Sequence, residues 1–129
     1  MPTFFLRSIL AGALVTVAFA IPALADDPAM IGDSSVGKIL VDHQGMTLYT
    51  FDKDADGKSA CNGECAAAWP PLVAESGAMA TGDYTMVTRD DGKMQWAYKG
   101  KPLYLWIKDT KPGDVTGDKF KDVWHIVQP

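Results

Sequence analysis

Apolar residues along this chain fall in short runs punctuated by turn-forming residues, a pattern of strands rather than of amphipathic helices. Residues 26–36 are small and polar with scattered apolar positions and read as a linker. Lys38 to His43 and Met46 to Asp52 flank Gln44-Gly45, which predicts a hairpin whose glycine supplies the positive φ of the turn. The two-residue period of a strand puts Tyr49 and Phe51 on one face and Leu48 and Thr50 on the other. Residues 53–60 form an acidic loop, and Asn62 is placed to cap a short helical turn over Glu64 to Ala68 that Pro70-Pro71 ends. Further on, Tyr84 to Arg89, Met94 to Lys99 and Pro102 to Ile107 read as strands, separated by Asp90-Asp91-Gly92 and Lys99-Gly100. Residues 111–121 are Gly- and Asp-rich loop, and Val123 to Val127 closes as a last strand. The prediction is a mainly β fold, a small antiparallel sheet domain of about six short strands with one short helical turn and no long helix.

The same pattern is written twice. Gly45-Met46-Thr47-Leu48-Tyr49-Thr50-Phe51-Asp52-Lys53-Asp54 realigns without a gap on Gly100-Lys101-Pro102-Leu103-Tyr104-Leu105-Trp106-Ile107-Lys108-Asp109, 55 residues later. At the same offset Gly37-Lys38 falls on Gly92-Lys93 and Trp69 on Trp124, and seven of the eighteen positions in 37–54 and 92–109 are identical. A fixed internal period marks a supersecondary unit that needs its neighbour to bury its apolar face. Two copies are too few for a solenoid, so residues 37–129 read as one domain of two pseudo-symmetric halves, repeat 1 over 37–74 and repeat 2 over 92–129.

The shared core, Gly-x-x-Leu-Tyr-x-(Phe/Trp)-x-x-Asp, resembles the secreted bacterial repeat family defined by a Tyr-x4-Asp, or Tyr-x-(Phe/Trp/Tyr)-x-x-Asp, motif. Its residues here are Tyr49, Phe51 and Asp54, then Tyr104, Trp106 and Asp109. Cys61-Asn62-Gly63-Glu64-Cys65-Ala66, Trp69-Pro70-Pro71-Leu72, and Arg89-x-Asp91-Gly92 followed by Gln95-Trp96-x-Tyr98 are also similar to the family. The resemblance spans Gly37 to Pro129 and implies a secreted protein or lipoprotein, with no settled biochemical activity.

Composition narrows the function classes. Arg7 is the only charge before Asp26, Ser8 to Ile21 is almost wholly apolar, and Ala23-Leu24-Ala25 supplies a small-x-small cleavage site. Residues 1–25 therefore read as a signal peptide cut after Ala25, too short and too quickly broken by Pro22 for a membrane span. With no cysteine at the cut, no lipid anchor is expected, and the exported chain begins at Asp26. Its net charge is about −5, because Arg7 is the one charged residue removed from a chain of formal charge −4. The absence of any basic cluster argues against nucleic acid as a partner.

Two cysteines, Cys61 and Cys65, lie in the exported part, where an even count reads first as a disulfide. Their Cys-x3-Cys spacing differs from the Cys-x-x-Cys of thioredoxin-like enzymes and from the haem-attachment motif, with a reactive dithiol or a metal pair as the alternatives. Tyr49, Phe51, Tyr104 and Trp106 are expected to form a core together with Trp69 and Trp124; the alternative is an exposed platform that stacks a ligand. Asp54 and Asp109 stand where a strand becomes a loop and are expected to accept turn N–H groups or the motif Tyr hydroxyl. Asp52-x-Asp54-x-Asp56-Gly57 matches the opening of a calcium loop, but the twelfth position is Gly63 rather than an acid. His43, His125, Met46 and the cysteines are candidate soft ligands for copper or haem, with no close spacing among them.

No hydrolase, metalloprotease or phosphate-loop signature is present, and two histidines restrict general-base chemistry. The sequence thus predicts a non-catalytic periplasmic binding or interaction module with no cofactor, for a small ligand or an envelope protein. The alternative is a periplasmic redox or metal-handling protein using Cys61, Cys65 and His125.

Overall fold

The structure is a computed structural model describing residues 27–55 and 57–129. The expected signal peptide, residues 1–25, and its expected cleavage site lie outside the described residues. The fold is mainly β: seven short strands in three small antiparallel sheets, one short helix, and no closed barrel among the described residues. The strands are β1 (Met30–Ser34), β2 (Gly37–Val41), β3 (Tyr49–Phe51), β4 (Tyr84–Thr88), β5 (Met94–Tyr98), β6 (Lys101–Pro102) and β7 (Trp124–Ile126). Helix α1 spans Glu64–Ala68.

β1 and β2 form a hairpin in which Met30 faces Val41 and Ser34 faces Gly37. This strand occupies part of the stretch read as a linker. Its sequence signal is weak because Met30 and Ile31 point outward, 52% and 62% exposed, so burial does not mark it. The turn after β2 is gripped by the Asp42 carboxylate, which accepts the backbone N–H of Gln44 and of Met46, both at 2.9 Å. The predicted hairpin is therefore short: Thr47 still bridges Val41, but β3 then leaves β2 and pairs with β7 at the far end of the chain.

The second half opens on the three-stranded sheet β4-β5-β6. Lys99 and Gly100 both have positive φ, 50° and 83°, at the two-residue turn between β5 and β6. In α1 the N-terminal position is held by Gly63, and no side chain caps it. Asn62, the expected cap, instead donates to Asp90 Oδ2 at 3.1 Å and accepts from Arg89 Nη2 at 3.3 Å. Two hydrogen bonds to charged groups outcompete one backbone N–H.

Two apolar clusters hold the halves together, and the period of two sorts residues between them. Leu48 and Leu103 belong to one cluster with Leu40, Tyr84 and Trp96. Their neighbours Tyr49 and Tyr104 point the other way, into an aromatic cluster with Trp69, Trp106, Trp124 and Cys61. Each motif segment is thus buried on both sides, and Leu48, Tyr49, Leu103 and Tyr104 are all fully enclosed.

Candidate functional site

The two copies of the motif are spent on each other. Tyr49 and Tyr104 face one another across an antiparallel bridge, each donating its N–H to the other's carbonyl at 2.8 and 2.9 Å. The side chains then cross between copies. Tyr49 Oη donates to Asp109 Oδ2 at 2.6 Å, and Tyr104 Oη donates to Asp54 Oδ2 at 2.7 Å. The segment that follows each copy is exchanged in the same sense. Tyr49 pairs with Ile126 and Tyr104 with Pro71, positions that are themselves 55 residues apart. Asp52 N to Val123 O at 2.8 Å and Ile107 N to Ala68 O at 3.1 Å repeat the exchange two turns of the pleat further on.

The two crossings differ in what backs them. Asp109 Oδ1 accepts from Thr116 N at 3.0 Å and Oγ1 at 2.6 Å, and Tyr49 Oη accepts from Gly117 N at 3.2 Å. On the other side Asp54 Oδ1 accepts from Ala60 N at 2.7 Å, while Tyr104 Oη lies 2.5 Å from Ser59 Oγ. Because Tyr104 gives its only hydrogen to Asp54, the Ser59 hydroxyl donates to it. Ser59 Oγ in turn accepts from Arg89 Nη1 at 3.0 Å.

Arg89 is buried with no carboxylate against it. Its guanidinium is satisfied by Ser59, Gln95 Oε1 at 2.7 Å, Cys61 O at 2.6 Å and Asn62 Oδ1, leaving Nε without a partner. Two hydroxyls therefore connect a buried cation to a half-buried carboxylate. Burial pushes Asp54 above the usual carboxylate range, opposed by its bonds from Tyr104 and Ala60 and by the Arg89 charge. Burial and then the bond to the opposite motif carboxylate raise both Tyr49 and Tyr104 well above an ordinary phenol. These phenols stay protonated and act as donors.

The remaining aromatic residues build a ladder through the centre. Trp69 and Trp124, repeat equivalents, stack with ring centroids 3.8 Å apart and planes 3° from parallel. Phe51 stacks on Trp124 at 4.2 Å, and its equivalent Trp106 stacks on Trp69 at 3.9 Å. The four rings follow a local two-fold relation, with the symmetry point between the central tryptophans. Gly117 is pressed against them: a Cβ there would lie 2.6 Å from Trp69 and 3.0 Å from Trp106. A shallow groove of about 420 Å³ opens over the ladder, walled by Cys65 and Phe120 and rimmed by Lys53, Glu64 and Lys121.

The metal and redox candidates are dispersed or otherwise engaged. Cys61 and Cys65 are joined in a disulfide, with Cα atoms 5.2 Å apart, so no dithiol is presented. His125 Nε2 pairs with Asp52 Oδ2 at 2.7 Å on the exposed face of β3 and β7, and His43 Nε2 contacts Asp27 O at 2.7 Å. Met46 lies half-buried at the turn after β2. Among the described residues no three His, Cys, Asp or Glu side chains converge. In the partial calcium-loop pattern, Asp52 turns to His125 and Asp54 to Tyr104 and Ala60, while Asp56 lies outside the described residues. The redox or metal-handling reading thus finds no support.

Ser59, Arg89, Gln95, Gly117 and Phe120 are the site residues that motif reading did not single out as such. The repeat offset held one clue, since it sets Phe120 on Cys65 and so predicts equivalent walls.

Among the described residues no helix is long and apolar enough to cross a membrane. Neither a curated protein nor a solved structure matches the chain. Two stretches, residues 30–73 and 85–128, match one family and begin at the same 55-residue offset as the motif. That family's description supports a location outside the cytoplasm, periplasmic or extracellular. The chain belongs to the family described as a secreted repeat of unknown function.

Proposed function

We propose that the protein is a periplasmic binding or interaction module, non-catalytic, exported by cleavage after Ala25. The motif residues serve as an internal lock, and the surface the lock creates is the groove over the aromatic ladder. The observation carrying this reading is that the apolar lining of the groove comes from both copies in equivalent pairs. Phe51 with Trp106 and Trp69 with Trp124 make the floor, and Cys65 with Phe120 and Ala68 with Val123 make the walls. Seams between structural units, such as domain interfaces, are among the places where ligand pockets occur preferentially. The polar groups of the lock, by contrast, are engaged with one another and closed to a substrate.

The test is to add a periplasmic small-molecule extract to the purified mature protein and follow both tryptophan emission and backbone amide shifts. Saturable shifts localised around the groove, without turnover of the bound compound, are expected. No binding from the extract on any face, or conversion of what binds, would overturn the reading.

A further inference from the structure

The groove's apolar surface is symmetric, but its charges are not. Lys53, Glu64 and Lys121 correspond, at the 55-residue offset, to Lys108, Lys119 and Ala66, and none of those three lines the groove. The lining therefore carries two cations and one anion, on a chain whose formal charge is −4. A local excess of positive charge over an apolar floor disfavours a cationic ligand and favours an anion.

The wall contributed by the second copy is built under strain. In the first copy this place is helix α1, tied down by the Cys61–Cys65 disulfide. In the second copy it is a short 3-10 segment, Phe120–Asp122; Lys119 just before it and Lys121 and Asp122 within it have left-handed φ of 63°, 50° and 59°. Non-glycine residues hold that conformation only where their surroundings enforce it, and such strain gathers at binding sites. Its effect here is to hold Phe120 partly exposed beside Trp106, with ring centroids 5.0 Å apart, and to set the Lys121 ammonium 5.6 Å from the Phe120 ring centre. An aromatic wall and a cation are thereby presented together at the groove edge.

Resting on the binding-module reading above, we propose that the groove over the Phe51–Trp124–Trp69–Trp106 ladder takes a small molecule with a flat apolar ring and one acidic group. The ring lies against Phe120 and the ladder edge, and the acid meets Lys53 and Lys121. A volume of about 420 Å³ suits one or two fused rings. Glu64 disfavours a second acidic group on its side, which gives the ligand one orientation despite the symmetric floor.

The experiment is an amide-shift titration of the mature protein with indole-3-acetate, beside its neutral isostere indole-3-acetamide. Shifts from the acetate are expected at residues 51–53, 64–69, 106 and 120–124. The acetate is expected to bind about tenfold more tightly than the amide, the combined size of two exposed charge interactions. Lys53→Gln with Lys121→Gln brings acetate binding down to the level of the amide; Glu64→Gln strengthens acetate binding. Equal binding of the two probes, shifts on another face, or no shift at millimolar probe overturns the proposal. Should the extract still bind when neither indole does, the ligand class is wrong and the binding-module reading stands.

Discussion

Replacing Tyr104 by Phe removes one oxygen and tests whether the crossed motif bonds hold the fold. The ring keeps its packing against Phe51 and Trp124, both edge-on to it, so the aromatic cluster is left intact. What is lost is the donor to Asp54 Oδ2 and the acceptor that takes the Ser59 hydroxyl. A hydrogen bond to a charged group contributes about 1.5–3 kcal/mol, and Ser59 is left with a buried donor in search of a partner. Asp54 is only half-buried, and water reaching its carboxylate recovers part of the loss. The net cost is therefore about 2 kcal/mol, equivalent to a melting temperature lower by roughly 10 °C for a domain of this size. Urea unfolding of both proteins at pH 7, fitted with a common slope, measures it. A loss below about 0.5 kcal/mol would refute the claim that the crossing is stabilising.

Three further outcomes follow from the same geometry. Gly117→Ala drives a methyl into Trp69 and Trp106, rigid rings with no room to yield, and is expected to cost about 1–3 kcal/mol in the same unfolding assay. Cys61→Ser with Cys65→Ser opens a loop of very few residues and is expected to cost about 2 kcal/mol, measured against the unreduced protein. Asp54 titrates above its ordinary 3.8 when folded, so the folded state binds that proton more tightly than the unfolded chain. Its contribution is fully present below pH 3.8 and is lost as pH rises through the elevated folded value. The melting temperature of the wild type relative to Asp54→Asn should therefore rise on acidification through that window, and a constant difference would contradict the assignment.

Much of the fold was legible because its signals are local. Alternation around Tyr49 marked β3, and Asp91-Gly92 and Lys99-Gly100 marked turns that the backbone uses. Of the strand expected over Pro102 to Ile107 only Lys101–Pro102 forms, because Tyr104 is held instead by isolated bridges to Tyr49 and Pro71, both distant in sequence. The unread parts are those that depend on partners distant in sequence. β3 was expected to complete a hairpin with β2, but Asp42 closes that turn early and the pairing surface it needs comes from Trp124 to Ile126. Asp54 and Asp109 were expected to accept turn amides or a motif Tyr. They do both, yet the Tyr comes from the other copy, which a motif read within one copy does not reveal. Arg89 read as the end of a strand; only the folded chain brings Ser59, Gln95 and the Cys61 carbonyl around its guanidinium.

The central claim is that the two copies form one cooperative unit because each supplies the other's motif partner. Native-state hydrogen exchange at the Tyr49 and Tyr104 amides tests it most directly, since these two groups bond to each other across the pseudo-symmetry point. The account predicts that both amides, and that of Leu72 bonded to the Leu103 carbonyl, exchange only through global unfolding, with one opening free energy equal to that from denaturant. Exchange of one copy through a separate, lower-energy opening while the other stays protected would contradict it.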